Sequence, residues 1–178
     1  MKDALLVVDV VNTFRHEDGE DLLASFRHRL ERMTRSLAHA RADPDLPVVY
    51  ANDAFGDWTG DGPRFVRRAI EDGDGGDVVR ALEPQGDEPF LFKGHYSAFD
   101  STPLTLVLES LEVERVLLMG ASTEGCVVQS AIDARELGLK VTVLTESCAT
   151  ADEQLERVAL DYAERVGGVR LAATFDER

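Results

Sequence analysis

Apolar residues occur along this chain in two alternating patterns. Short, predominantly apolar runs predict buried β-strands at residues 4–8, 48–50, 90–92, 116–119, 141–144 and 169–172. Between them, apolar residues recur every three or four positions, which predicts helices at residues 21–42, 62–72, 103–111, 123–137 and 151–166. Strands that alternate with helices indicate an α/β fold, a three-layer sandwich around a mostly parallel sheet. The 178 residues suit a single domain with one core, over residues 1–178.

Reactive side chains follow three of the predicted strands. Asp9 ends the first apolar run, Lys93 ends the third, and Cys126 follows the fourth, just inside a helix predicted to start near Thr123. In parallel α/β sheets ligands bind outside the carboxyl ends of the strands, so these three side chains point to one crevice. Unpaired N–H groups at a helix N-terminus stabilise a thiolate, lower its pKa and hold a developing oxyanion. The pattern favours nucleophilic catalysis over a buried, inert thiol.

Three motifs in this order resemble those of the isochorismatase-like cysteine hydrolases, the superfamily that contains nicotinamidases and N-carbamoylsarcosine amidase. They are Asp9-x-x-Asn12-x-Phe14, Lys93-Gly-His-Tyr96-Ser-Ala-Phe99, and Gly120-x-x-Thr123-x-x-Cys126-Val127. The resemblance implies six strands in the order 3-2-1-4-5-6. It implies Asp9 as general base, Lys93 as the cation beside the thiol and Cys126 as nucleophile. The implied reaction is cleavage of a C–N bond in a small amide, ureide or carbamoyl substrate through a thioester acyl-enzyme.

The resemblance also implies the surroundings of the nucleophile. A cis peptide bond between Ala121 and Ser122 would aim the Ser122 N–H, with that of Cys126, into an oxyanion hole. The expected substrate contacts are Asn12, Phe14, Trp58, Tyr96 and Phe99. Core packing stays open as the alternative for Phe14, and a subunit contact stays open for Trp58.

No metal ion or other cofactor is expected. Asp53 matches an aspartate of the nicotinamidases, but Phe55 stands where their first metal-binding histidine would be. The four histidines, His16, His28, His39 and His95, are not spaced as metal ligands. Nicotinamide is therefore disfavoured as the substrate. The acidic stretch at residues 71–77 lacks the glycine that a calcium loop needs, so it is interpreted as a surface loop.

Other interpretations remain open from the sequence. His95 is a second candidate for the base of a Cys–His pair. True isochorismatases cleave a vinyl ether without the cysteine, so Cys126 counts against that activity. A non-catalytic member of the fold, serving as a binding or scaffold subunit, is the other alternative. Cys148 has no charged partner in the pattern and is interpreted as core filler.

Charge and composition limit the partners. The net charge of −15 disfavours nucleic acid and anionic membranes and leaves a small-molecule substrate. The chain lacks a signal-peptide pattern, an apolar run of membrane-spanning length and a disulfide framework, so a cytoplasmic location is expected. The resemblance implies a homo-oligomer, a dimer or tetramer.

Overall fold

Six strands and six α-helices follow one another along residues 1–177, the part of the chain that this computed structural model describes, with two helices between the second and third strands and one between each other pair. The strands are β1 (Asp3–Val8), β2 (Val48–Asp53), β3 (Phe90–Lys93), β4 (Arg115–Ala121), β5 (Lys140–Ala149) and β6 (Arg170–Ala172). The helices are α1 (Gly19–Ala42), α2 (Gly62–Asp72), α3 (Gly76–Leu82), α4 (Leu104–Ser110), α5 (Val128–Glu136) and α6 (Glu153–Arg165). A π-helical turn, Thr123–Val127, precedes α5, and a short 3₁₀ segment, Phe175–Glu177, follows β6.

The strands form one sheet in the order β3-β2-β1-β4-β5-β6, which confirms the expected order. All five pairings are parallel. Val8 at the end of β1 is in register with Ala51 of β2 and with Gly120 of β4. Asp53 at the end of β2 is in register with Lys93 at the end of β3. The register therefore brings the residues that follow these strands to one edge of the sheet.

Each face of the sheet carries its own hydrophobic core, because successive side chains of a strand point to opposite faces. On one face Leu5 and Val7 of β1 pack with the apolar sides of α1, α2 and α3. On the other face Leu6 and Val8 pack with those of α4, α5 and α6. The three-layer arrangement predicted from the sequence is confirmed.

Gly120 allows β4 to lie close against β1. A Cβ at this position would lie 1.9 Å from the carbonyl oxygen of Val8, and the φ angle of 127° favours glycine. Both the close approach and the backbone conformation therefore require glycine at the strand end that leads to Cys126.

Local structure differs from the sequence prediction at three places. Helix α3 lies where an acidic loop was expected to continue, and its buried Val78, Val79 and Leu82 fix it to the core. The sequence Thr150-x-x-Glu153 has the pattern of a capping box and predicts Thr150 as the N-cap of α6. The observed N-cap is Asp152, whose side chain accepts hydrogen bonds from the N–H groups of Gln154 and Leu155.

The third difference lies in the segment that carries Cys126. It begins with the wider π-helical turn and becomes α-helical only at Val128.

None of the helices within residues 1–177 has the length and apolar character needed to cross a membrane.

Candidate active site

Asp9, Lys93 and Cys126 meet at the carboxyl edge of the sheet. The Nζ atom of Lys93 lies 2.8 Å from Asp9 Oδ2 and 3.2 Å from Cys126 Sγ. Lys93 is 1% exposed and Asp9 7% exposed, whereas Cys126 is only partly buried. The thiol is thus the member of the cluster that solvent or a ligand reaches.

The backbone around Asp9 is held by the end of β2. Asp9 adopts a φ angle of 50°, which turns the chain sharply after β1. Its Oδ1 accepts a 2.5 Å hydrogen bond from the N–H of Asp53, so Oδ2 is left to face Lys93. The buried side chain of Asn52 bonds both the N–H and the carbonyl of Val11, at 2.9 and 3.0 Å. These contacts, which sequence reasoning missed, fix the loop that carries the carboxylate.

Lys93 reaches the cluster from the edge strand. Because β2 lies between β3 and β1, the side chain of Lys93 must cross the carboxyl end of β2 to reach Asp9. A third Nζ contact, 3.0 Å, goes to the carbonyl oxygen of His95. An ammonium has three N–H donors, so the three acceptors use all of them and fix its position.

The turn that carries Cys126 is anchored at both ends. The carbonyl of Ser122 accepts 3.1 Å hydrogen bonds from the N–H groups of Gly125 and Val127. Ser130 Oγ donates to the carbonyl of Cys126 at 2.6 Å and accepts from the N–H of Ala98 at 2.8 Å. π-helical turns of this kind are frequent at functional sites.

Backbone N–H groups beside the thiol remain available to an anion. The peptide bond between Ala121 and Ser122 is cis, as the resemblance implied. Among residues 1–177, no group accepts a hydrogen bond from the Ser122 N–H. The Cys126 N–H lies in the first turn of the helical segment, where N–H groups point outward along the axis.

Burial controls the protonation of the cluster. Burial raises the pKa of Asp9, and the charge of Lys93 opposes this rise. Burial, the largest single effect, would lower the pKa of Lys93, but the charges and hydrogen bonds of Asp9 and Cys126 together outweigh it, so the pKa is raised. Burial, together with the charge of Asp9, raises the pKa of Cys126 to about 12. The lowered thiol pKa expected from the helix N-terminus is therefore wrong, because burial disfavours the thiolate and Asp9 adds a negative charge beside the sulfur.

Two of the five predicted substrate contacts border the cluster. The indole of Trp58 lies against Gly94, next to Lys93, since a Cβ on that glycine would be 2.8 Å from the ring. The ring of Tyr96 lies 3.7 Å from the corresponding position on Gly125, next to Cys126. Both rings are more than half exposed.

The comparison with known proteins identifies the family. The sequence profile of the isochorismatase domain matches residues 3–174. The chain belongs to the isochorismatase family. The isochorismatase family protein YaaI of Bacillus subtilis is 28% identical over 163 residues, which cover 92% of this chain and 89% of that protein. Maleamate amidohydrolase of Pseudomonas putida is 31% identical over 152 residues, which cover 82% and 71%.

A solved structure of the family agrees with the fold. N-carbamoylsarcosine amidase from Thermoplasma acidophilum has a TM-score of 0.71 and 26% sequence identity, covering 96% of this chain and 95% of that one. The predicted membership is therefore confirmed, and this chain is an isochorismatase-family hydrolase.

The other three predicted substrate contacts of this isochorismatase-family chain pack against the protein itself. Phe14 is 3% exposed and packs edge-on against Phe26, so it lies in the core, the alternative that the sequence left open. Asn12 Oδ1 accepts from the N–H of Phe14 at 2.6 Å, and its Nδ2 lies 3.3 Å from His16. Asn12 thus stabilises its own loop. Phe99 is partly buried and packs on the second core.

The His95 ring takes no part in the cluster. Its side chain is 61% exposed and turns toward Asp100, 3.7 Å away, so only its carbonyl contacts Lys93. This geometry does not favour His95 as the base of the thiol. Cys148 is fully buried, and burial raises its pKa to about 12. Within residues 1–177, no three or more His, Cys, Asp or Glu side chains are grouped to hold a metal ion.

Proposed function

We propose that this isochorismatase-family protein is a cysteine hydrolase that cleaves a C–N bond of a small amide, ureide or carbamoyl compound through a thioester acyl-enzyme. The observation that carries the proposal is the contact of one thiol with a buried cation that also pairs with a buried carboxylate. The relatives named maleamate amidohydrolase and N-carbamoylsarcosine amidase support the amide class of substrate.

The resting site holds one proton between two acidic groups. With Lys93 charged and Asp9 ionised, the proton is on Cys126, because burial and the charge of Asp9 raise the pKa of the thiol. Moving it to Asp9 leaves a thiolate beside the same ammonium, so the total charge is unchanged. Burial raises the pKa of Asp9 and so makes it a stronger base for this transfer.

The thiolate then attacks the carbonyl carbon of the substrate. A C–S bond forms, and the carbonyl electrons move to oxygen. The Ser122 and Cys126 N–H groups lie on the turn beside the sulfur, where they stabilise this oxyanion. When the intermediate collapses, the C–N bond breaks and the proton on Asp9 passes to the leaving nitrogen.

Water completes the cycle. Asp9, again ionised, takes a proton from a water molecule that attacks the thioester. The acid product leaves, and the proton returns to the Cys126 sulfur. Lys93 keeps its charge throughout, because its pKa is raised by both Asp9 and Cys126, and one of the two carries the negative charge before and after the proton transfer. The partly exposed rings of Trp58 and Tyr96 are proposed to contact the substrate at the rim of the site.

Release of ammonia from a panel of small amides tests the proposal. The panel contains maleamate, N-carbamoyl amino acids, ureides and short aliphatic amides. Wild-type enzyme is expected to hydrolyse at least one compound, Cys126→Ala to lose the activity by more than about 1000-fold, and the control Cys148→Ala to keep it. Full activity in Cys126→Ala, or no turnover of any amide by the wild type, rejects this function.

A further inference from the structure

A buried ion pair joins the two helical layers behind the nucleophile. Arg29 of α1, on one face of the sheet, contacts Glu156 of α6, on the other face, through two hydrogen bonds of 2.7 and 2.8 Å. The two side chains are 17% and 9% exposed. Arg29 also donates to the carbonyl of Cys148, near the carboxyl end of β5. The pair therefore closes the edge of the sheet next to the turn that carries Cys126.

Glu156 also holds the first residue of that turn. The hydroxyl of Thr123 lies 2.8 Å from Glu156 Oε1 and 3.1 Å from the carbonyl of Ala149. Thr123 is completely buried, and its side chain is three residues before Cys126. A hydroxyl has one proton, and the charged carboxylate is the closer and stronger of the two acceptors.

We propose that Glu156, oriented by Arg29, is a positioning residue that fixes the Cys126 thiol through Thr123. This inference rests on the proposed function of Cys126 and deepens it. Glu156 contacts neither Asp9, Lys93 nor the sulfur, so its effect passes through the backbone of the Thr123–Val127 turn.

The geometry explains why a carboxylate is needed. Glu156 accepts two hydrogen bonds from the guanidinium and one from Thr123, and a carboxylate has acceptor sites for all of them. A glutamine has one oxygen, and its NH₂ group would face an Arg29 donor. Glu156→Gln therefore loses the paired geometry, and the side chain turns away from Thr123. Thr123→Val removes only the hydroxyl and keeps the shape.

The chain offers a matched control at the opposite edge of the sheet. Arg41 and Glu88 form a similar two-bond pair at 2.8 and 2.9 Å, with side chains 20% and 14% exposed. Glu88 precedes β3, at the amino end of the strands, far from the turn. Glu88→Gln therefore reports the loss of a buried ion pair without a change at the thiol.

Steady-state kinetics on an amide that the wild type hydrolyses tests the proposal. Glu156→Gln and Thr123→Val are expected to lower kcat by about 10- to 100-fold with KM within about 2-fold, because the nucleophile is misplaced and the substrate contacts are kept. Thr123→Ser, which keeps the hydroxyl, is expected to restore most of kcat. Glu88→Gln is expected to keep the wild-type kcat, although its melting temperature falls as much as that of Glu156→Gln.

A second readout needs no substrate. A loosened turn lets the thiol move away from Asp9 and further into solvent. Iodoacetamide is therefore expected to label Cys126 faster at pH 8 in Glu156→Gln and Thr123→Val, by about 10-fold for each unit that the thiol pKa falls. If the wild type hydrolyses no amide, the proposed function fails and this readout alone decides the positioning role. Wild-type kcat and wild-type labelling in Thr123→Val overturn the inference, whether or not Glu156→Gln folds. Equal losses of kcat in Glu88→Gln and Glu156→Gln also overturn it.

Discussion

The carboxylate of Asp9 and the ammonium of Lys93 form an ion pair at 2.8 Å with side chains 9% and 0% exposed. A lone charge at this depth would be costly, so each group makes the charged form of the other tolerable. Cys126 contacts the same ammonium at 3.2 Å. One cation therefore faces two acidic groups, and the site favours a single negative charge shared between them.

The first prediction concerns the acid limb of the activity. Asp9 must be ionised to accept the thiol proton, so activity is lost as the pH falls through its pKa. Burial raises this pKa above 3.8, and the charge of Lys93 opposes the rise. In Lys93→Met the opposing charge is absent, so the acid limb of kcat/KM is expected to move upward by about 1 to 3 pH units. Rates on one amide between pH 4 and 9 measure the shift.

An exposed lysine provides the control for this experiment. Lys140→Met, at the start of β5, is expected to leave the limb in place. Should Lys93→Met be too slow for kinetics, ¹³C NMR titrates the Asp9 carboxyl, with Asp9→Asn identifying its signal. An unchanged or lower Asp9 pKa in Lys93→Met would contradict the role assigned to the ion pair.

The second prediction concerns the reactivity of the thiol. Burial, followed by the charge of Asp9, raises the pKa of Cys126 to about 12, so labelling by iodoacetamide is expected to keep increasing above pH 9. Asp9→Asn removes the second of these causes and leaves Lys93 in place. The midpoint of labelling is expected to fall by about 1 to 3 units, although hydrolysis is lost. Peptide mass spectrometry follows both cysteines, with buried Cys148 as the unlabelled reference. A midpoint that rises in Asp9→Asn would show that the carboxylate does not raise the thiol pKa.

The third prediction concerns the glycine between β1 and β4. In Gly120→Ala the new Cβ would lie 1.9 Å from a backbone oxygen, at a φ of 127°. Backbone atoms of two central strands cannot move apart easily, so the free energy of unfolding is expected to fall by at least about 3 kcal/mol. Gly138→Ala, with a φ of 89° and open space around it, isolates the conformational cost and is expected to lose about 1 kcal/mol. Urea unfolding measures the free energy of unfolding of both variants. Equal losses in Gly120→Ala and Gly138→Ala would mean that the close approach to β1 does not add to the cost of the substitution.

Much of the fold follows from the sequence because buried parallel strands are continuous apolar runs. The run from residue 4 to residue 8 is fully buried in β1, as expected. Helix α3 was missed because glycines and aspartates precede it and its seven residues show little periodicity. The strand order came from the family resemblance, since local patterns do not say which strands are neighbours.

The candidate site, like the fold, has features that the sequence predicts and features that only the folded chain shows. Asp9, Lys93 and Cys126 stand at strand ends and so could be found from the sequence. The direction of the shift in the thiol pKa could not, because it depends on how deeply the fold buries Cys126 and on the nearness of Asp9, more than a hundred positions earlier in the chain. Arg29, Thr123 and Glu156 come from three separate segments, and only the folded chain brings them into contact. Asn12 and Phe14 fit the family motif. In the structure, however, Asn12 hydrogen-bonds within its own loop and Phe14 packs in the hydrophobic core.

Trapping the acyl group tests the central claim, that Cys126 is the nucleophile, most directly. Enzyme mixed with a hydrolysed amide is quenched in acid within milliseconds and analysed by intact mass and peptide mapping, and a parallel reaction contains hydroxylamine. We predict a mass increase equal to the acyl group on the peptide with Cys126, none in Cys126→Ala, and a hydroxamate product formed at the expense of the acid. An acyl group on another residue, or hydrolysis with neither adduct nor hydroxamate, would contradict the account.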